Sequence, residues 1–207
     1  MLKHFKMNST LLACVSSPIV ILAIAIAGNT LTSNSTIAES NVGETKQTEY
    51  IPQVAFRKAP RLVDIYTTFN TVRMRSATYY FDVTIPEDAG APLHKVAIEL
   101  RQGQEEIYYK LEKTVAYLGD HRRKGDKLAL ETVSIDESTG IITVEFTEPL
   151  PPDTTFTIGL KPRRNPDYDG IYVFGVTVFP QGENPYGLYL GSRSLTFYSG
   201  YDGFFGY

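Results

Sequence analysis

Cysteine, histidine and tryptophan are scarce in this chain, which has one cysteine, three histidines and no tryptophan. The cysteine, Cys14, lies in the N-terminal apolar segment, so the chain beyond that segment has no disulfide bond and no thiol nucleophile. The later histidines, His94 and His121, are isolated, and we interpret each as a lone surface side chain. A serine triad needs a histidine base, and zinc or copper needs several histidine or cysteine ligands. The sequence therefore predicts no enzyme and no cofactor.

An excess of positive charge is also absent. The formal net charge is −3, and it becomes −5 when the N-terminal segment with Lys3 and Lys6 is left out. Proteins that hold nucleic acids through a dominant electrostatic field need charge of the opposite sign. We therefore exclude nucleic acid as a partner.

Residues 1–27 have the layout of a secretory signal peptide. Two lysines form a basic head, an apolar run begins at Leu11, and Ala25-Ile26-Ala27 provides small residues for cleavage. We predict that this segment exports the chain to the periplasm or cell envelope.

Two other interpretations of this segment stay open. An uncleaved segment would be a membrane anchor, because Leu11–Ala27 is close to the lower limit of about 17–25 residues for a membrane span. Leu11-Leu12-Ala13-Cys14 also resembles a lipobox, although cleavage before Cys14 would leave the apolar run Ile19–Ala27 on the mature side. Contact with the membrane is expected only if the segment is not cleaved.

The rest of the chain divides into a linker, one domain and a tail. Residues 28–53 are rich in serine, threonine and asparagine, which predicts a flexible, disordered linker. Between residues 54 and 198, apolar and polar residues alternate with the period of a half-buried strand. The clearest runs are 79–85, 96–101, 107–112, 142–146 and 156–161. Residues 199–207 form a tail rich in aromatic residues and glycine.

Several segments refine the prediction of an all-β domain. Ile171–Phe179 is apolar almost throughout, which indicates a central strand covered on both faces, with Gly175 at a bulge or a close approach. Glu105–Leu118 is compatible with a helix, but its first half favours a strand. Pro86–Gly90 and Asp136–Gly140 are turn sequences. Short strands without a long helix predict an immunoglobulin-like β-sandwich of about eight or nine strands.

A series of short motifs, in order along the chain, is similar to one known family. They are Pro60-Arg61-Leu62-Val63, Thr67–Arg73, Ala77–Phe81, Pro151–Thr155, Ile158–Pro162, Asn165-Pro166, Tyr172–Thr177, Leu190-Gly191 and Phe197-Tyr198. The chain resembles the exported cyanobacterial proteins called the domain of unknown function 2808 family over residues 54–198. The resemblance implies an exported protein of a photosynthetic bacterium and implies no activity.

One run of basic residues is a candidate anion-binding loop. His121, Arg122, Arg123 and Lys124 follow one another, and Arg163-Arg164 would join them if the two loops lie at the same end of the sandwich. Such a cluster would bind phosphate, an acidic polysaccharide or a lipid headgroup. The alternative is a solvated loop whose charge is partly cancelled by Asp120 and Asp126.

Two further candidates are a calcium site and the tail. Asp167 and Asp169 place two carboxylates in a loop before the apolar strand, which suits calcium, although aspartate is also an ordinary turn residue. The tail offers aromatic side chains for a partner or a sugar, or is a frayed end. Its candidate binding residues are Tyr201, Phe204, Phe205 and Tyr207.

Together these features predict an exported, non-catalytic binding or structural module of the cell envelope. Its expected partner is an envelope protein or a polysaccharide. The alternatives are a membrane-anchored or outer-membrane-associated envelope protein, and a periplasmic hydrolase whose carboxylates converge only in the folded chain.

Overall fold

The structure, a computed structural model, describes residues 52–200. The predicted signal peptide 1–27 with Cys14, nearly all of the predicted linker 28–53 and the tail residues Tyr201, Phe204, Phe205 and Tyr207 lie outside the described residues. Among the residues that it does describe, no helix is both long enough and apolar enough to span a membrane.

The described chain forms ten strands and two single-turn 3-10 helices. The strands are β1 (Arg61–Thr67), β2 (Tyr79–Ile85), β3 (Leu93–Gln102), β4 (Val115–Gly119), β5 (Lys124–Leu128), β6 (Leu130–Ile135), β7 (Ile142–Leu150), β8 (Thr154–Leu160), β9 (Gly170–Pro180) and β10 (Leu188–Phe197). The 3-10 helices are Glu87–Ala89 and Leu111–Lys113.

The strands form two five-stranded antiparallel sheets that pack face to face. The first sheet has the order β1-β2-β8-β4-β5, and the second has the order β10-β9-β3-β7-β6. The chain passes from one sheet to the other after β2, β3, β5, β7 and β8. This arrangement confirms the predicted immunoglobulin-like β-sandwich, with ten strands where eight or nine were expected.

Aromatic side chains fill the space between the sheets. Phe81 of the first sheet meets Phe174 of the second edge-to-face, with ring centroids 5.7 Å apart. Phe156 and Phe146 make the same kind of contact between the sheets at 5.4 Å. All four rings are fully buried, and burial of each phenylalanine contributes roughly 1.5–3 kcal/mol. Within the described residues, packing of this kind takes the place of disulfide bonds.

The predicted central strand is confirmed as β9, but the core covers only one of its faces. Tyr172 and Phe174 point into the core, whereas Ile171, on the other face, is 57% exposed. Gly175 on the outer face is a close approach: an added Cβ would lie 2.7 Å from Cδ of Arg101. The side chain of Arg101 therefore lies across the strand where the glycine leaves room.

The expected strand at the beginning of Glu105–Leu118 is wrong. Residues 103–110 form a loop that makes one isolated bridge, between Tyr109 and Pro162, and β4 begins only at Val115. Ile107 is buried while Tyr108 is 64% exposed. The alternation that suggested a strand arises because this loop packs across the end of the sandwich.

Both predicted turns are confirmed. Pro86–Gly90 contains the 3-10 helix Glu87–Ala89 and ends at Gly90, which has a φ of 77°. Asp136–Gly140 closes the β6–β7 hairpin, and Gly140 has a φ of 70°, a conformation that glycine adopts without steric cost.

The strand registers divide the loops between two ends of the sandwich. Leu160 at the end of β8 pairs with Tyr79 at the start of β2, and Phe197 at the end of β10 pairs with Gly170 at the start of β9. We call this end the cavity end; the following segments meet there. They are the β1–β2 loop, the β3–β4 loop, the β6–β7 hairpin, the β8–β9 loop and residues 198–200. The β2–β3, β4–β5, β7–β8 and β9–β10 connections lie at the opposite end, where Val54 donates a backbone hydrogen bond to Asn184.

Candidate functional site

A cavity of about 590 Å³ opens at the cavity end of the sandwich. Its floor is apolar, and its rim carries polar groups of the β3–β4 loop and the β6–β7 hairpin. The apolar residues are Ile98, Leu100, Ile107, Leu111, Ile135, Ile142 and Phe174. The volume is within the range of about 300–1,000 Å³ that ligand pockets occupy.

A second cavity of about 380 Å³ adjoins the first. Both cavities are lined by Glu106, Ile107, Tyr108 and Arg163. Beyond these shared residues, the second cavity is polar: two more arginines and one more glutamate line it. These are Arg75, Arg164 and Glu105.

A buried asparagine holds the loops of this end together. Asn165 is fully buried, and its Oδ1 accepts a hydrogen bond of 2.9 Å from the hydroxyl of Tyr79. Its Nδ2 donates to the carbonyl oxygens of Phe69 and Thr71 at 2.9 and 2.7 Å. The β8–β9 loop is thereby fixed to the β1–β2 loop, next to the arginines. In the sequence, Asn165-Pro166 was notable only as one of the family motifs.

The β3–β4 loop is attached to the β8–β9 loop as well. One carboxylate oxygen of Glu105 accepts the backbone N–H groups of Asp167 and Tyr168. In return, the N–H of Arg163 donates to the carbonyl of Tyr108 at 2.7 Å. These bonds bring Arg163 and Tyr108 to the boundary between the two cavities.

The arginines at this boundary differ in their partners. Arg164 pairs with Asp167 at 2.7 Å, and Arg73 pairs with the other carboxylate oxygen of Asp167 at 3.3 Å. The side chains of Arg75 and Arg163 make no ion pair or hydrogen bond with any residue that the structure describes. Two guanidinium groups are therefore available to an acidic ligand.

The nearby acids, by contrast, mostly have donors of their own. Glu106 accepts a hydrogen bond from the hydroxyl of Tyr108 at 3.3 Å. On the far rim, the hydroxyl and N–H of Ser138 and the N–H of Thr139 donate to Asp136, and these bonds lower the pKa of that carboxyl. An acidic ligand is thus attracted to the side of Arg163 rather than to the hairpin.

Tyr109 adds one polar group to the apolar cavity that it lines. Burial raises the pKa of its phenol above the ordinary value, and its ring packs edge-to-face on Tyr79, with centroids 6.3 Å apart. Its hydroxyl takes part in no hydrogen bond between residues 52 and 200. A bound molecule can therefore take this hydroxyl as a partner.

Comparison with protein families gives a match over the whole described domain. The model of a family described as protein of unknown function (DUF2808) matches residues 53–197. The chain belongs to the DUF2808 family. No curated protein matches this sequence.

Several solved structures resemble this DUF2808 domain, with low sequence identity and TM-scores below 0.5. The C-terminal domain of the Streptococcus pyogenes antigen I/II-family protein AspA is 16% identical with a TM-score of 0.40, covering 63% of this chain and 41% of its own. The collagen-binding domain of a Staphylococcus aureus adhesin is 10% identical with a TM-score of 0.35, covering 72% of this chain and 100% of its own. A cohesin module of a Clostridium perfringens family 33 glycoside hydrolase is 14% identical with a TM-score of 0.36, covering 70% and 99%. These values assign no ligand to the DUF2808 domain.

The structure does not bring the two predicted basic runs together. His121, Arg122 and Arg123 lie in the β4–β5 turn, and Lys124 begins β5. This turn follows the end of β4, where Leu118 pairs with Phe156 near the start of β8. Arg163 and Arg164 follow the end of β8. The DUF2808 domain therefore carries one basic group at the cavity end and the other at the opposite end.

The side chain of His121 is buried, and its interpretation as a lone surface histidine is wrong. Its backbone N–H donates to one oxygen of Asp82 at 3.0 Å, and its Nδ1 lies 2.5 Å from the other oxygen. The ring stacks on Tyr66 with centroids 4.5 Å apart. Lys124 donates to the hydroxyl of Tyr80 at 2.7 Å. These contacts attach the β4–β5 turn to the outer face of the first sheet, and they leave Arg122 and Arg123 exposed.

The structure also describes the surroundings of His94 and of the predicted calcium ligands Asp167 and Asp169. His94 lies half-buried in β3, and its Nδ1 is buried without a hydrogen bond. The carboxylate of Asp167 is occupied by Arg73 and Arg164. No group of three or more metal-ligating side chains is found between residues 52 and 200, and calcium binding at Asp167 and Asp169 stays a prediction.

Proposed function

We propose that this DUF2808 protein is an exported, non-catalytic binding module of the cell envelope that recognises an acidic group at its cavity end. One observation carries the proposal: two adjoining cavities share Arg163, whose guanidinium has no acidic partner among the described residues. The guanidinium of Arg75, which lines the second cavity, also has no acidic partner among the described residues. A carboxylate or phosphate bound there forms charge-assisted hydrogen bonds with both.

The loops suit recognition because they are fixed before a ligand arrives. Asn165 and Glu105 hold the β8–β9 loop against its two neighbours through hydrogen bonds to backbone groups. A site that is already ordered loses less conformational entropy on binding. This supports a binding role for the cavity end.

The cellular setting of the proposal comes from the sequence. The layout of residues 1–27 supports export, and the family resemblance supports a cyanobacterial source. The partner that we propose is an envelope protein or a polysaccharide with acidic groups. Calcium binding by Asp167 and Asp169, and partner binding by the tail residues Tyr201, Phe204, Phe205 and Tyr207, are separate secondary proposals.

The proposal is tested by anion binding to the full-length chain and to two variants. Polygalacturonate and inorganic phosphate serve as probes, and binding is measured by isothermal titration calorimetry. In the variant with Arg75→Gln and Arg163→Gln, we expect affinity to fall about tenfold or more, because two charged donors are lost.

Arg61→Gln is the matched control, because Arg61 is an exposed arginine that pairs with Thr84 at the opposite end of the sandwich and belongs to none of the candidate sites. We expect this control to bind as the wild type does. Equal affinity of all three proteins for both probes would overturn the proposed site. Turnover of a substrate that depends on carboxylates of the cavity rim would overturn the non-catalytic assignment.

A further inference from the structure

The two cavities at the cavity end have different chemical character, and the difference narrows the class of ligand. The second cavity is lined by three arginines and two glutamates, whereas the floor of the first is apolar and exposes parts of Leu100, Leu111 and Ile135. A ligand that fills both therefore has an acidic group and, beside it, an apolar group. This reasoning rests on the proposed function, because it assumes that Arg163 holds the acidic group.

A saccharide fits the first cavity poorly. Each sugar unit carries several hydroxyl groups, and a hydroxyl buried without a hydrogen bond costs free energy. The apolar floor offers no partner beyond the hydroxyl of Tyr109, and the other polar side chains of this cavity belong to its rim. An apolar side chain, by contrast, releases water from this floor and needs no hydrogen bond.

We propose that the cavity end binds a protein segment in which an aromatic side chain lies beside an aspartate or glutamate. The aromatic ring enters the apolar cavity against the partly exposed side chains of Leu100, Leu111 and Ile135, and the neighbouring carboxylate meets the guanidinium of Arg163. Tyr109 donates its hydroxyl to a backbone carbonyl of the segment. The partner is therefore an envelope protein rather than a polysaccharide.

The arrangement of the rim agrees with a peptide as the occupant. Tyr108, 64% exposed, lies at the boundary of the two cavities and offers an aromatic surface to the segment outside. Arg75 lies on the far side of Arg163 and can take the second carboxylate oxygen or a following acid. Aromatic and arginine side chains are the residues that contribute most to protein interfaces.

The test uses blocked peptides and the full-length chain. The parent peptide is acetyl-Gly-Ser-Phe-Asp-Ser-Gly-amide, whose only charge is its aspartate. Two further peptides replace phenylalanine by alanine or aspartate by asparagine. Titrations followed by NMR chemical shifts are expected to show about tenfold weaker binding for each, since each loses one of the two anchors.

The protein variants assign each anchor to its cavity. With Arg163→Gln, we expect the difference between the aspartate and asparagine peptides to disappear, while Arg61→Gln keeps it. With Leu111→Phe, which narrows the apolar cavity, we expect the difference between the phenylalanine and alanine peptides to disappear. If Leu111→Phe fails to fold, the peptide series on the wild type still tests the aromatic anchor.

The outcomes separate this inference from the proposed function. If polygalacturonate binds through Arg75 and Arg163 while the phenylalanine of the peptide contributes nothing, the inference is overturned and the proposed function stands. If neither the peptide nor polygalacturonate depends on the arginines, both are overturned. The inference is supported if the alanine and the asparagine peptides both bind the wild type more weakly than the parent peptide does. The effect of the asparagine must also disappear in Arg163→Gln, and the effect of the alanine must disappear in Leu111→Phe.

Discussion

Asn165 shows how much of the cavity end depends on one side chain. It is fully buried, it accepts from Tyr79 and it donates to two carbonyl groups of the β1–β2 loop. Its own N–H donates to the carbonyl of Met74 at 2.8 Å. Few other residues can supply an acceptor and two donors in the same plane.

We therefore expect Asn165→Ala to destabilise the fold by about 2–4 kcal/mol, because it leaves two carbonyl oxygens and one hydroxyl without partners. Urea denaturation followed by circular dichroism measures the effect. Tyr79→Phe is the control: it removes only one hydroxyl and is expected to cost about 1 kcal/mol. A similar cost for both variants would show that Asn165 does not hold the loops.

At the scale of elements, the sequence predicted the strands that have one face in the core. In β2, β3 and β7, buried and less buried residues alternate over most of the strand as the sequence does, whereas β8 is buried on both faces from Phe156 to Leu160. β5 (Lys124–Leu128) was not predicted, because it is exposed along nearly its whole length and therefore carries no apolar pattern. The 107–112 run was misread, because packing of a loop against the core produces the same alternation as a strand.

The candidate site could be predicted only in part. Arg163 and Arg164 were recognised because two adjacent arginines are visible in the sequence. The sequence did not point to Arg75, Asn165 or Glu105 as site residues, because their importance depends on which loops share one end of the sandwich. That arrangement is set by the strand order and register, which a single sequence does not show.

The β4–β5 turn is attached to the first sheet through the buried pair of His121 and Asp82, whose side chains are 6% and 3% exposed. Removing the imidazole leaves the buried carboxylate of Asp82 with only the backbone N–H of position 121 as a donor. We expect His121→Phe, which retains an aromatic ring against Tyr66, to lower stability by about 3 kcal/mol. Equilibrium denaturation measures the change.

The double variant His121→Phe with Asp82→Thr provides the control for this prediction. It removes both members and places a good strand former in β2, so most of the lost stability should return. If the double variant is as unstable as the sum of both single variants, the pair does not act as a unit.

The whole molecule relies on tyrosine as a core residue. Burial raises the pKa of the phenols of Tyr79, Tyr109 and Tyr172. In the unfolded chain these phenols ionise near pH 10. Since the folded state binds their protons more tightly, their contribution is complete below about pH 10 and is lost as pH rises above that value.

We therefore expect cooperative unfolding at alkaline pH. Absorbance at 295 nm, which follows phenol ionisation, should rise together with the loss of the circular dichroism signal of the sheets. Tyr79→Phe removes one of these phenols. Its free energy of unfolding, taken as a fraction of the value at neutral pH, should therefore fall less steeply with rising pH than that of the wild type. Titration of all phenols near pH 10 with an intact sheet signal would contradict the prediction.

The described chain enters the sandwich at one end and leaves it at the other. Val54 is bonded at the end opposite the cavities, while residues 198–200 lie beside them. The ten residues of β10 alone span roughly 33 Å, at about 3.3 Å for each residue. The point at which the described chain begins and the two cavities are therefore separated by the length of the sandwich, so contacts made at Val54 leave the cavity end uncovered.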